Sequence, residues 1–234
     1  MNIVVLNRSD WRDEQHVRLV DRRADHIRSV LRAEIGDSVR VGLINGCLGQ
    51  GRICTIDASS VLLAVELSQP PPARHRFDIV LCLPRPKVLR RLLRTVAEYG
   101  VANLHLIQSA RVEKSYWQSP LLAPDKVHDA LLAGLERASD TVAPQVHQHR
   151  RFRPFVEDHL VDLCAGRPCW MAQMGAPIAL RDTPPGDAVV MVGPEGGFVP
   201  FELELTQAVI AKPVNLGSRT LSVDTALTTA LAQG

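Results

Sequence analysis

A chain of 234 residues with 46% apolar content is long enough to pack one large or two small domains, and no stretch approaches the roughly 18 apolar residues of a membrane span. Five scattered cysteines (Cys47, Cys54, Cys82, Cys164, Cys169) form neither a disulfide framework nor a zinc spacing, His147-x-His149 lacks obvious partner ligands, and the N-terminus shows no charged-apolar-small leader pattern, so a cytoplasmic protein without a metal is expected. The net charge of +2 hides an asymmetry: residues 1–100 hold 16 Lys+Arg against 11 Asp+Glu, residues 101–234 hold 11 against 14, and arginine, whose planar fork suits phosphate, dominates, which points to RNA binding through the N-terminal half.

Residues 1–68 read as a small β-rich unit. Asn2 to Leu6 is a short apolar strand, and Asp25 to Arg32 carries apolar residues at helical spacing with Gly36-Asp37 as its stop. Strands are predicted over 38–44, 51–56 and 61–67, separated by Asn45-Gly46 and Asp57-Ala58-Ser59-Ser60, both turn signals. A meander with one helix suggests a compact barrel. Arg28 and Arg32 on that helix are either RNA contacts or an ordinary solvated face. Residues 69–76 form a linker, because Pro70-Pro71-Pro72 cannot continue a sheet and favours an extended spacer.

From Phe77 strands alternate with helices, the pattern of a parallel α/β sheet, and 77–234 is read as one domain. A strand over 77–83 leads into a helix from Pro86 to Tyr99, begun by proline and stopped by Gly100. Leu89, Leu92, Leu93, Val96 and Ala97 mark its buried stripe, while Lys87, Arg90, Arg91 and Arg94 crowd the other side without an acid among them, an arrangement that a nearby polyanion would relieve. After a strand over 104–107, a polar loop carries Arg111 and Lys114, placed to meet a substrate phosphate. Tyr116 and Trp117 in that loop either stack a flipped base or anchor the loop on the core. Helices over 125–139 and 152–163 and a strand over 168–173, which ends at Met174-Gly175, complete this stretch.

Two loops near the C-terminus carry the chemistry. Val189 to Val192 is a buried strand that stops at Gly193-Pro194-Glu195-Gly196-Gly197-Phe198, where the glycines permit positive φ and close approach of backbone N–H groups to a ligand. Pro200 suits the first position of the next helix, with Glu202 and Glu204 in its opening turn. The second loop repeats the logic: Pro213 to Leu216 is a strand, Gly217 opens the turn, and Ser222 or Asp224 can cap a helix from about Thr225. In an open α/β sheet ligands bind beyond the carboxyl ends of strands, where such loops collect.

Gly-Pro-Glu-Gly-Gly-Phe followed by Leu-Gly-x-Arg-x-Leu-x-x-x-Thr-Ala resembles the RsmE-type ribosomal RNA methyltransferases of the SPOUT superfamily, and His26-Ile27-x-x-Val30-Leu31-Arg32 with Gly36-Asp37 extends the resemblance to the N-terminal unit. The resemblance implies an N-terminal PUA-like RNA-binding β-barrel and a C-terminal SPOUT α/β domain with a parallel sheet and a deep trefoil knot. It further implies a homodimer that binds S-adenosylmethionine and methylates N3 of a uridine in 16S ribosomal RNA, free or in the small ribosomal subunit. Carried onto this chain, it assigns the cofactor to Met174, Gly193, Pro194, Glu195, Gly196, Gly197, Leu216, Gly217, Leu221 and Thr225. RNA falls to Arg28, Arg32, Lys87, Arg90, Arg111 and Lys114. Arg219 is the candidate stabiliser of the uracil as it loses its N3 proton, with Glu195 and Asp224 as acid/base candidates. Two departures stand out: the segment after Glu136, and Ser222 and Asp224 where the family pattern has arginine and glutamate. They keep open a different target nucleotide, or a non-catalytic RNA-binding or assembly protein that retains the fold.

Overall fold

Five strands make up the sheet of the N-terminal unit: β1 Val4–Leu6, β2 His16–Leu19, β3 Ser38–Leu43, β4 Leu48–Ile56 and β5 Val61–Gln69. The computed structural model describes residues 1–234, and the chain divides into two units, Met1–Ala73 with Leu132–Ala143, and Arg74–Leu131 with Pro144–Gly234. In the first, the sheet order is β1-β3-β4-β5-β2, with β1 parallel to β3 and every other pair antiparallel. The sheet does not close on itself, so it is a half-barrel, curled round a core that includes Leu6, Val17, Leu19, Ile27, Val41, Ile53 and Leu63. Strand β2 escaped prediction because its four residues, His-Val-Arg-Leu, follow a charged stretch and offer only two apolar positions.

The predicted helix is present but begins earlier and changes character. Helix α1 (Arg22–Asp25) starts at Asp21, whose carboxylate accepts from Arg23 N, and continues as a π-helical turn over His26–Leu31. It stops at Arg32, which takes a left-handed φ of 51°, well before Gly36. Gly36 serves the next turn instead, donating its N–H to Ile53 O at 2.9 Å.

Arg23 ties this unit together. It is 5% exposed, and its guanidinium donates to Val5 O at 2.8 Å, to Asp10 at 2.6 and 2.8 Å, and to Asp21 at 2.7 Å. Residues 132–143 belong here as well: Glu136 accepts both arms of Arg22 at 2.7 and 3.0 Å, its carbonyl accepts from Asn2 N, and Thr141 O accepts from Asn45 N at 2.8 Å.

The second unit is built on six strands that all run parallel: β6 Phe77–Cys82, β7 Asn103–Ile107, β8 Gln145–His149, β9 Cys169–Ala172, β10 Ala188–Val192 and β11 Lys212–Val214, in the order β11-β9-β10-β6-β7-β8. Strands β6 and β10 are buried throughout, as expected of central parallel strands. Helix α2 (Pro86–Glu98) buries the predicted stripe. Helix α3 is Pro124–Ala138; the predicted helix over 152–163 is instead α4 (Phe152–Pro154), a π-helical turn Phe155–His159 and α5 (Leu160–Cys164). Helices α6 (Pro200–Val209) and α7 (Val223–Ala232) complete the unit. Asp78 on β6 is buried and satisfied, paired with Arg167 at 2.8 Å and accepting from Asn103 N and Nδ2.

Strand β8 is an edge strand that its polar composition concealed. Its histidines meet β7: His105 stacks on His147 with ring centroids 4.4 Å apart, and His105 Nδ1 lies 3.1 Å from His149 Nε2. Burial first, then the neighbouring His147 and His149, push the His105 pKa down to about 3.

Removal of the buried hub is expected to cost about 3–5 kcal/mol, because Arg23→Ala leaves Asp10 without its cation; a denaturant titration of the variant measures it. For His105, the unfolded chain takes up a proton near pH 6.5 and the folded protein near 3, so stability is complete above 6.5 and declines as the pH falls through that window. The decline reaches about 2 kcal/mol at pH 5. Urea unfolding at pH 7 and pH 5 should reveal it, and His105→Gln should flatten the difference.

Candidate active site

Strands β11, β9 and β10 are neighbours and parallel, so the loops that leave their carboxyl ends converge. Between them lies a cavity of about 230 Å³. Its walls are Ala172, Gln173 and Met174 after β9, Val192 to Gly197 after β10, Leu216, Gly217 and Arg219 to Leu221 after β11, and Val223 and Ala226 of α7.

The β10 loop owes its shape to its glycines. Gly197 has φ +71°, and its N–H closes a turn onto Pro194 O at 2.8 Å. A side chain at Gly196 would come within 2.9 Å of Arg111 Cδ, since Arg111 lies across the loop and donates to Gly196 O. In the β11 loop Gly217 has φ +128°, a conformation that favours glycine, and its N–H donates to Asn215 Oδ1 at 3.1 Å. Asn215 fastens this loop to the one after β9: its side chain donates to Ala176 O at 2.8 Å, and its backbone pairs with Ile178 and Leu180. Thr220 Oγ1 reaches Met174 Sδ at 3.5 Å.

Charges in the lining are few. Glu195 is the one carboxylate and Arg219 the one cation. Arg85, at the entry to α2, approaches Glu195 Oε1 at 3.8 Å, and both are solvent-facing. Arg219 is exposed on the cavity rim without an ion pair.

Of the residues singled out in the sequence, Met174, Gly193, Pro194, Glu195, Gly196, Gly197, Leu216, Gly217, Arg219 and Leu221 share this cavity. Asp224 and Thr225 face a neighbouring cleft with Arg91 and Thr95. There the Ser222 hydroxyl donates to Asp224 Oδ1 at 2.5 Å, and this bond, then the charge of Arg91, hold the Asp224 carboxyl below its usual range. Arg28 is bound within its own unit, to Asp25 and to Asp57 O at 2.7 Å. Arg32, Lys87, Arg90 and Lys114 are exposed.

The two aromatics of the β7 loop part company. Trp117 is 8% exposed, donates Nε1–H to Gln108 Oε1 at 2.6 Å and lies under Arg150, so it anchors the loop. Tyr116 is half-buried, and its hydroxyl reaches only Glu113 of the same turn at 3.2 Å. Arg85, Glu202, Ala172 and Gln173 were not singled out as site residues; the end of a β-strand is the one signal that could have marked the last two.

The RNA methyltransferase domain family matches residues 71–233. The ribosomal RNA small subunit methyltransferase E of Treponema pallidum is 33% identical over 223 residues, covering 91% of this chain and 82% of that protein. Its counterpart from Synechocystis is 25% identical over 225 residues, with 94% and 73% covered. Among solved structures, the ribosomal RNA small subunit methyltransferase E of Neisseria gonorrhoeae bound to S-adenosylmethionine superposes with a TM-score of 0.76 at 18% identity, covering 99% of this chain and 95% of that one. A Legionella pneumophila methyltransferase in complex with the same cofactor gives 0.77 at 20% identity, with 99% and 95% covered. At these identities the two structures speak for the fold. With the domain family matched over residues 71–233 and the 33% identical Treponema pallidum relative aligned over most of both chains, the protein belongs to the RsmE-type RNA methyltransferases of the SPOUT superfamily.

Proposed function

We propose that the protein transfers a methyl group from S-adenosylmethionine to N3 of a uridine in 16S ribosomal RNA, acting as a homodimer whose C-terminal segment is threaded as a trefoil knot. The observation that carries this reading is the single cavity where three strand-end loops meet, with a glycine loop on one wall and Arg219 on its rim. Its lining suits the cofactor. Leu216, Leu221, Val223 and Ala226 offer apolar surface to a purine, the turns at Gly193–Gly197 and Leu216–Gly217 offer backbone polar groups, and Glu195 offers a carboxylate to a cationic ligand.

S-adenosylmethionine would supply an electrophilic methyl group on its sulfonium. The protein's own residues do the rest. Loops fixed by Asn215 and Arg111 orient both reactants, and such alignment accounts for much of the rate in a direct transfer. Uracil N3 must lose its proton before it attacks, and the charge then spreads to the two carbonyl oxygens. Arg219, exposed on the rim and free of any carboxylate, is our candidate to stabilise that charge. Glu195 is the candidate proton acceptor as the only carboxylate in the lining. Asp224 is a poorer one, because Ser222 and Arg91 already hold it ionised. Lys87, Arg90, Arg32 and Lys114 are exposed and serve in this reading as phosphate contacts. A binding-only protein, or one with a different target nucleotide, is the second reading, and Ser222 at the position of a family arginine is what favours it.

Calorimetry should detect S-adenosylmethionine and its demethylated product binding to the wild type. Gly196→Asp, which collides with Arg111 and adds a charge beside Glu195, should weaken both by about tenfold or more. Absence of binding in the wild type would favour the binding-only reading. Arg219→Ala should lower kcat for methyl transfer to ribosomal RNA by about 10²–10³ while leaving cofactor affinity nearly intact. Mass spectrometry of nuclease digests would identify the methylated position, and a product other than N3-methyluridine would redirect the reading.

A further inference from the structure

Glu202 opens α6, and it is 3% exposed. A glutamate in the third position of a helix ordinarily turns one oxygen back to the N-cap N–H. Oε2 does this, accepting from Val199 N at 3.0 Å. Capping needs no more than that. Oε1 nevertheless accepts from Ala110 N at 2.7 Å, on the loop after β7 and 92 residues away in sequence. A buried carboxylate is costly unless its oxygens are satisfied, and here each is satisfied by a different loop.

The next residue along, Arg111, crosses to the tip of the β10 loop and donates to Gly196 O. Its Cδ packs so closely on Gly196 that any side chain there would stand 2.9 Å from it. One carboxylate therefore holds the stem of the glycine loop through Val199 and the stem of the Arg111 loop through Ala110, and Arg111 joins the two loops again at the far end.

We propose that Glu202 is a positioning residue for the transfer reaction: acting through Ala110 and Arg111, it sets the conformation of the Gly193–Gly197 loop that borders the cavity. The inference rests on the methyltransferase reading. It assigns Arg111 to the loop itself as well as to any RNA phosphate.

The test is a double-mutant cycle. Glu202→Gln keeps the size of the side chain but turns an amide donor toward one of the two N–H groups. Glu204→Gln removes the same charge from the exposed side of the same helix and is the control. S-adenosylmethionine affinity by calorimetry, kcat and KM for ribosomal RNA, and Tm are read in Glu202→Gln, Arg111→Ala and the double variant. Each single variant should weaken cofactor affinity by about tenfold, the value of one hydrogen bond to a charged group, while Glu204→Gln stays at wild type. The double variant should lose no more than the weaker single variant. Wild-type affinity in Glu202→Gln, whatever its Tm, or losses that multiply in the double variant, would overturn the proposal. A wild type that binds S-adenosylmethionine yet methylates no RNA would defeat the RNA reading and leave the affinity cycle to decide on Glu202; a wild type that binds none would defeat both.

Discussion

Six strands that all run the same way must all end on the same side. In this protein that constraint does most of the work of building the site. The sheet order places β11, β9 and β10 side by side, so loops that begin at Gln173, Gly193 and Asn215 meet although up to about forty residues separate them. Parallel strands need long crossovers, and α6 supplies the one that brings the chain from the glycine loop to β11. Asn215 then converts proximity into fixed geometry, since its side chain and backbone both bond to the segment after β9. Without the parallel register there would be three unrelated turns.

Charge is deployed with similar economy. The basic excess of the first hundred residues suggested a surface for a polyanion, and part of it proves to be paired within the protein. Arg23 is a buried hub, Arg22 grips Glu136, Arg28 is held by Asp25 and the Asp57 carbonyl, and Arg91 leaves the cationic face of α2 to meet Asp224. Exposed cations such as Lys87, Arg90 and Lys114 are what the RNA proposal draws on. Net charge alone could not separate these groups, because an arginine that satisfies a carboxylate and one that awaits a phosphate are the same letter.

Legibility followed burial. Strands β6 and β10, apolar along their whole length, and α2, with a clean helical stripe, were readable from period alone. Strands β2 and β8 were not. The first is short, and the second, Gln-Val-His-Gln-His, is an edge strand stabilised by imidazole stacking that no propensity scale anticipates. The π-helical turns at His26–Leu31 and Phe155–His159 were equally hidden, because a single i→i+5 turn displaces the apolar spacing by only about one residue. At the site, the glycine loop declared itself, since positive φ at Gly197 and Gly217 is a backbone demand written directly in residue type. Glu202 did not, for its second contact crosses 92 residues and nothing local encodes it.

The role of Ser222 is best understood through what surrounds it. A serine there donates to Asp224 and contacts Thr225 Oγ1 at 2.9 Å, which organises the first turn of α7 without bringing a charge. Asp224 then needs a cation, and Arg91 provides it from a different helix. The neighbourhood thus keeps a guanidinium, but one neutralised by a carboxylate and turned toward the cleft with Thr95, Thr228 and Thr229 instead of toward the cavity. Arg219 is left as the one unneutralised cation of the lining. An anion forming in this cavity would depend on that single side chain, so the chemistry proposed for the site places its whole cationic demand on Arg219.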